Sequence, residues 1–272
     1  MYPRFQRILT SPVYRVGLLA LLMQQCLAMP GLAQSVNALR AADVAGKLEA
    51  LKEVIAKEVT VELQRTNFTG SYTTVWRQFE DAATEALEKV LPRHIPGLSA
   101  EHFDTGAAGR EKNRLADFAI VVGGETIEVS IKSARRSANP ENDLGTFRDH
   151  PNRKKMFAAS FTLFVRYDEG SYGIQCERVF FDRSWRFVGR STLVDGVKYR
   201  KKDGNMRPKP WAMFDSGKAF WKSDADFEAA VKRAELFRAN ELIKEYLDDL
   251  SESDQRLLYE KLKQRFEPPR PE

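Results

Sequence analysis

The stretch from residue 116 to residue 132 constrains the fold most, because it carries the clearest strand signal in the chain. Residues 116–122 and 125–132 are two runs rich in β-branched and apolar side chains, separated only by Gly123 and Gly124. A two-glycine connection favours a tight hairpin turn, since both turn residues need positive φ angles. The sequence therefore predicts an antiparallel β-hairpin at this place.

One face of this hairpin is polar. Successive side chains of a strand point to opposite faces, so Glu128, Ser130 and Lys132 share one face of the second strand. Asp117 begins the partner strand and can reach the same face across the hairpin. A solvent-exposed sheet face explains such a row equally simply. The alternative is a metal-dependent phosphodiesterase site, in which carboxylates hold Mg²⁺ and the ammonium orients water or stabilises developing charge.

Helical patterns flank a central region of strands. Four helices are predicted. The first begins at Ser35 and continues through Val59, the second covers 75–91 and ends at Pro92, the third covers 224–250, and the last follows a cap formed by Ser251 and Asp254. The further predicted strands are 157–167, 179–181 and 185–188. We divide the chain into a signal-like segment (1–34), an N-terminal helical region (35–72), a core with a basic β region (73–222) and C-terminal helices (223–272).

Helix, strand, turn and strand in this order resemble the PD-(D/E)xK nucleases, most of all the type II restriction endonucleases. The resemblance covers residues 75–167, with Glu80 at the helix position and Asp117 and Lys132 at the strand positions. It implies an α/β (α+β) fold with a restriction-endonuclease-like core: a central mixed β-sheet flanked by helices, with helical extensions at both termini. It also implies a Mg²⁺ cofactor, with Asp117, Glu128, Lys132 and Glu80 as catalytic residues.

The sequence departs from the family pattern at one important position. The family places an acid two residues before the lysine, where this chain has Ser130. Glu128, Glu80 or Glu141 could supply the missing metal ligand, and Glu128 is preferred because it shares the strand face with Lys132. The implied metal ligands are therefore Asp117, Glu128 and Glu80.

The segment that follows Lys132 is rich in side chains that can contact DNA. Arginine and lysine bind phosphate or guanine, and asparagine can pair with adenine. The candidate DNA-binding residues are Arg135, Arg136, Asn139, Asn142, Arg148, Lys154 and Lys155. A solvated loop is the alternative. Residues 178–222 add a basic region with twelve Lys or Arg against four Asp, suited to the phosphate backbone, and its aromatic side chains are expected in the core.

Several function classes lose support from what the sequence lacks. Two cysteines and three histidines make a zinc site or a disulfide framework improbable, so a metal would be bound by oxygen. The chain has no phosphate-binding Gly-x-x-x-x-Gly-Lys-Ser/Thr loop, no dinucleotide fingerprint and no Gly-x-Ser-x-Gly elbow. A nucleotide cofactor is therefore not expected.

The first residues allow more than one interpretation. Arg4, Arg7 and Arg15 precede the apolar run 16–23, and small residues follow at 31–34, an order typical of a secretory signal peptide. The run is far shorter than the ~20 residues that span a bilayer, so no membrane association is expected. A true start at Met29 instead of Met1 is the alternative. We expect a cytoplasmic protein, or an exported one if residues 1–33 are a signal peptide.

Three functions are consistent with these patterns. The first is a type II restriction endonuclease that cuts both strands of DNA at a specific site, as a homodimer matched to a palindrome. The second is a structure-specific or nonspecific repair nuclease with the same core. The third is a non-catalytic DNA-binding or exported interaction protein in which the hairpin is only structural.

Overall fold

The computed structural model describes residues 39–71, 74–105, 117–145, 159–170 and 173–266. The helices in these ranges are α1 (Ala41–Ala50), α2 (Lys52–Gln64), α3 (Val75–His94), α4 (Trp211–Asp215), α5 (Asp224–Asp248) and α6 (Glu252–Phe266), with 3-10 turns at Ala100–His102 and Ser184–Phe187. The strands are β1 (Phe103–Asp104), β2 (Phe118–Val122), β3 (Glu125–Arg135), β4 (Phe161–Gly170) and β5 (Gly173–Arg183).

The strands form one five-stranded mixed sheet in the order β1-β2-β3-β4-β5. Neighbouring strands are antiparallel except β3 and β4, which are parallel. A parallel pair requires a crossover, here the chain between β3 and β4, of which residues 146–158 lie outside the described residues. The mixed sheet with flanking helices confirms the predicted fold class.

The predicted hairpin is present as β2 and β3. Val122 pairs with Glu125, so the turn consists of Gly123 and Gly124 alone, with φ angles of 58° and 81°. These positive angles favour glycine at both positions because a Cβ atom would be strained there. The turn fixes the register, which places Asp117 opposite Ser130 by continuation of the ladder.

The sheet separates two hydrophobic clusters. One face is covered by α1, α2 and α3 and includes Leu48, Ile55, Leu87, Val129 and Leu163. The other face carries a second cluster, which includes Phe164, Phe180, Trp185, Phe187, Trp211, Phe214 and Phe227. β4 serves both, because alternate side chains point to opposite faces. The basic region's aromatic side chains are therefore core residues, as expected.

The N-terminal helices and the C-terminal helix α5 pack on this framework. α1 contacts β3 and α2 contacts β5, so the N-terminal helical region shares its core with the sheet. Ser223 caps α5 by accepting a hydrogen bond from the backbone N–H of Asp226 at 3.2 Å. α6 begins as predicted, with Ser251 Oγ accepting from Asp254 N at 3.2 Å.

The predicted helices differ from the structure at two places. The first predicted helix is two helices divided at Leu51, whose φ of −104° and ψ of 7° lie outside the helical region and allow α1 and α2 to pack on different strands. Ser35 lies outside the described residues. Pro92 does not end α3, which continues to His94, because Ile95 N still donates to Leu91 O at 3.0 Å.

The predicted strand at 185–188 is wrong. Residues 184–187 form a 3-10 turn, and only Val188 makes a bridge, to Pro208. Lys209 N donates to Phe187 O and Gly189 N to Arg207 O, both at 2.8 Å, on either side of this bridge. The pairing does not continue to Trp185, because residues 184–187 adopt the 3-10 turn. The apolar alternation that favoured a strand instead reflects the burial of Trp185 and Phe187 in the second cluster.

Candidate active site

Asp117 and Lys132 meet at the start of β2 and the middle of β3. Asp117 Oδ2 accepts a hydrogen bond from Lys132 Nζ at 2.9 Å and from the backbone N–H of Ile131 at 2.8 Å. Ser130 Oγ donates to the same oxygen at 3.3 Å. The hairpin register produces this arrangement, because Asp117 continues β2 directly opposite Ser130. The predicted convergence of an aspartate and a lysine is thus present in the fold.

The pair is half-buried. The Lys132 side chain keeps 19% of its accessible surface and the Asp117 side chain 35%. Partial burial strengthens the attraction between the two charges relative to a fully exposed pair. The backbone N–H of Ile131 adds a donor that cannot move away, so the carboxylate is held at a fixed position on the sheet.

Glu80 lies close enough to this pair for their charges to act on it. Ser133 Oγ donates to the backbone carbonyl of Trp76 at 3.1 Å, which fixes the start of α3 beside the residue that follows Lys132. Glu80 is one helical turn after Trp76, on the same side of α3. The pKa of Glu80 is raised from 4.5 to about 7, chiefly by burial; the charge of Lys132 opposes the shift and the charge of Asp117 adds to it.

The other two candidate acids are on β3 and in the segment that follows it. Glu128 is half-buried on β3, opposite Ala119 and four residues before Lys132, or about 13 Å along the strand. Because Asp117 lies opposite Ser130, Glu128 is the diagonal neighbour of Asp117 on the same sheet face. Glu141 is exposed in the segment after β3, where its backbone carbonyl accepts a hydrogen bond from Arg207. The charges of both Asp117 and Lys132 act on the pKa of Glu80.

The donor set suits an oxygen-preferring ion that brings most of its own ligands. Among the residues that the structure describes, no three His, Cys, Asp or Glu side chains are grouped to hold a metal ion. Mg²⁺ does not need such a cage, since it keeps several waters and commonly takes one or two carboxylates together with substrate phosphate. Asp117 and Glu80 can provide that number of carboxylates.

The candidate DNA-binding residues differ in their surroundings. Arg135 contacts Asp168 at 3.4 Å, and Arg136 Nη1 contacts Glu177 Oε1 at 3.1 Å. Asn142 donates to the backbone carbonyl of Ser133 at 2.9 Å, so its amide supports the end of β3. Asn139 is exposed and lines an open cavity of about 880 Å³. Arg148, Lys154 and Lys155 lie outside the described residues.

Several cations of the basic region at 178–222 have acidic partners within the chain. The ion pairs are Arg183 with Glu49 at 3.1 Å, Arg186 with Asp182 at 2.8 Å, Arg190 with Asp195 at 2.6 Å and Arg200 with Asp143 at 3.0 Å. These partners reduce the charge available to a phosphate backbone. The basic composition of the region therefore overstates the positive charge of its surface.

Sequence reasoning missed Arg166, a buried arginine in β4. It contacts Asp215 and Glu177 and lies over the rings of Phe180 and Trp211. The available signal was a single charged residue inside an otherwise apolar strand, because a charge at such a place is rarely buried without a partner.

Comparisons with known proteins give matches among solved structures alone. No family model and no curated protein matches the chain. Among solved structures, it is similar to a protein described as NlaIV restriction endonuclease, with a TM-score of 0.44 and 18% sequence identity. The match covers 71% of this chain and 78% of that chain. A likeness of this degree carries no conclusion about activity.

None of the helices in the described ranges has the length and apolar character needed to cross a membrane.

Proposed function

We propose that this protein is a Mg²⁺-dependent deoxyribonuclease that hydrolyses phosphodiester bonds of duplex DNA, and specifically a type II restriction endonuclease. One observation carries the proposal: Asp117 Oδ2 and Lys132 Nζ lie 2.9 Å apart on adjoining strands, with Glu80 electrostatically coupled to both. Metal-dependent hydrolysis of a phosphodiester uses carboxylates to hold a divalent ion and a cation to stabilise the charge that develops on the phosphate.

Each of the three side chains has a role in this proposal. Asp117 is held in place by Ile131 N and can bind the ion. Lys132 can donate to the attacking water or to the phosphate oxygens, where negative charge develops in the transition state. Glu80 has a pKa near 7, so at neutral pH it can bind the ion as a carboxylate or exchange a proton with water.

Asp117 and Glu80 would hold Mg²⁺, with Glu128 as the alternative second acid. Bound Mg²⁺ would supply Lewis-acid chemistry, neutralising phosphate charge and making water easier to deprotonate. Lys132 must then exchange its contact with Asp117 for a contact with the substrate. The half-buried position of the pair permits this exchange, because the lysine side chain still reaches solvent.

The test is cleavage of plasmid DNA with and without Mg²⁺, using the full chain and its Lys132→Ala variant. We expect Mg²⁺-dependent cleavage by the wild type and a loss of at least two orders of magnitude in the variant, since a preorganised charged donor typically contributes this much. Binding to DNA should remain nearly unchanged. Lys89→Ala, at an exposed position on α3, is the matched control and should cleave normally. Full activity of Lys132→Ala would refute the mechanism.

The same digestion separates the restriction-endonuclease proposal from its alternatives. Discrete fragments indicate cleavage at a specific sequence, whereas a smear indicates a nonspecific or structure-specific repair nuclease. DNA binding without Mg²⁺-dependent hydrolysis indicates a non-catalytic DNA-binding protein. A homodimer, which would place one active site at each strand of a palindrome, predicts twice the chain mass in sedimentation equilibrium.

A further inference from the structure

Five charged side chains from four parts of the chain form a connected group beside the candidate active site. We call it the Arg166 cluster, and its members are Arg136, Arg166, Glu177, Arg178 and Asp215. Arg166 is at its centre and is buried, with 8% of its side-chain surface accessible. Three guanidinium groups and two carboxylates leave one net positive charge. The cluster is therefore suited to an anion.

The buried arginine holds both acids. Arg166 Nη1 lies 2.9 Å from both carboxylate oxygens of Asp215, and its Nη2 donates to Glu177 Oε1 at 3.1 Å. The rings of Phe180 and Trp211 lie 5.2 and 5.4 Å from its guanidinium carbon. The planar guanidinium can serve two carboxylates at once, which an ammonium group cannot do with the same geometry.

Each of the two acids also contacts an exposed arginine. Glu177 Oε1 lies 3.1 Å from Arg136 Nη1, and Asp215 Oδ1 lies 3.8 Å from Arg178 Nη1. The outer arginines retain 62% and 48% of their side-chain surface. Each has five N–H donors, and these contacts engage only a minority of them. Both guanidinium groups can therefore bind a further anion from solvent.

The strand register places this cluster next to Lys132. Arg166 pairs with Ala134 on β3 and with Arg178 on β5, while Phe164 pairs with Lys132. Arg166 is thus on the same sheet face as Lys132, one strand across and two residues along. With strands about 4.8 Å apart and about 3.3 Å per residue, the two Cα atoms are about 8 Å apart. Arg136 directly follows the end of β3.

Stability alone gives little reason for this arrangement. Replacing a buried ion pair by apolar side chains of similar volume is often neutral or stabilising. The second hydrophobic cluster already surrounds Arg166 with aromatic rings that an apolar residue could join. A charged residue that bridges Glu177 and Asp215 also positions the two exposed arginines on the side of the proposed catalytic pair, which an apolar residue cannot do.

We infer that the Arg166 cluster is a phosphate-binding site for the DNA backbone, in which Arg136 and Arg178 contact phosphates and Arg166 is a positioning residue that acts through Glu177 and Asp215. The inference rests on the proposed function and extends it to phosphates beyond the one that is cleaved. These contacts do not depend on base sequence, so a short duplex of arbitrary sequence is a sufficient probe.

The test is the salt dependence of DNA binding. Affinity for a fluorescein-labelled duplex is measured by anisotropy in EDTA over a series of KCl concentrations, for the full-length wild type and its variants. Each phosphate contact contributes about 0.9 to the slope of log K against log salt. Arg136→Ala and Arg178→Ala should each reduce the slope by about 0.9, and the double variant by about 1.8. Arg40→Ala, an exposed arginine of the N-terminal region, should leave it unchanged.

Arg166→Lys tests the positioning role. It keeps the charge but cannot bridge both acids, so the slope should fall toward that of the double variant while the circular dichroism spectrum stays native. Two results overturn the inference. If the wild type binds DNA and the Arg136 and Arg178 variants keep its slope, the cluster is not a phosphate site and the proposed function stands. If the wild type binds no DNA at any salt concentration, the proposed function fails as well.

Discussion

The raised pKa of Glu80 makes a prediction that does not depend on any catalytic assay. Burial raises this pKa from 4.5 to about 7, so the folded protein holds the proton more tightly than the unfolded chain. The contribution of this bound proton to the free energy of unfolding is fully present below about pH 4.5 and is lost as the pH rises through about 7. Glu80→Gln replaces the carboxyl by a neutral group of the same shape. The variant should therefore gain stability over the wild type as the pH rises.

The size of the gain follows from the shift. Each pKa unit corresponds to about 1.4 kcal/mol, so the free energy of unfolding of Glu80→Gln relative to the wild type should increase by about 3 kcal/mol between about pH 4 and pH 8. Most of the change should occur between pH 4.5 and pH 7. Asp117 contributes to the shift, but burial is the larger cause.

Urea unfolding followed by tryptophan fluorescence and far-UV circular dichroism measures this difference at each pH. Glu85→Gln, at an exposed position on the same helix, is the matched control and should show no pH-dependent gain. An Asp117→Asn background should reduce the gain, since it removes one of the charges that raise the pKa of Glu80. A stability difference between Glu80→Gln and wild type that stays constant from pH 4 to pH 8 would refute the reasoning.

Three other predictions concern the ion and the packing. Mg²⁺ should raise the free energy of unfolding of the wild type by about 1.4 kcal/mol for each tenfold increase in its concentration above the Kd, and that of Asp117→Asn by much less. Differential scanning fluorimetry measures both proteins, and equal shifts in their unfolding temperatures would argue against an ion at this site. Gly196→Ala should destabilise the fold by about 1–3 kcal/mol, because its Cβ atom would lie 2.7 Å from the carbonyl oxygen of Ala230. Gly46→Ala, on a helix with no atom within 4 Å of the new methyl group, should stabilise by about 0.5–1 kcal/mol; urea unfolding compares the two.

The elements that sequence patterns predicted well are those determined by local chemistry. The two-glycine turn and the alternation after it specify the β2–β3 hairpin, and the hairpin register alone brings Asp117 opposite Ser130. Ser251 caps α6 by a contact with a residue three positions later, as the sequence predicted. Such features need no knowledge of the remaining chain, so the contact between Asp117 and Lys132 was predictable from about sixteen consecutive residues.

Features that depend on distant residues were not predictable in this way. Glu80 became the acid coupled to Lys132 because Ser133 binds the carbonyl of Trp76, a contact between residues 57 positions apart. The sequence favoured Glu128 on the basis of strand alternation, and the choice between Glu128 and Glu80 as the second acid stays a prediction. The partners of Arg166 come from β5 and α4, and no sequence spacing relates them.

Among the described residues, the Asp117–Lys132 pair lies beside the second hydrophobic cluster on the same face of the sheet. Lys132, Phe164 and Phe180 pair in one row across β3, β4 and β5, so they share the same face at the same height. Phe164 and Phe180 lie under Trp211 and Phe214 and are buried, with 0% and 8% accessible surface. The Lys132 side chain keeps 19%. Lys132 is therefore one strand away from buried aromatic side chains, and the packed core fixes the strand that carries its partly exposed ammonium group.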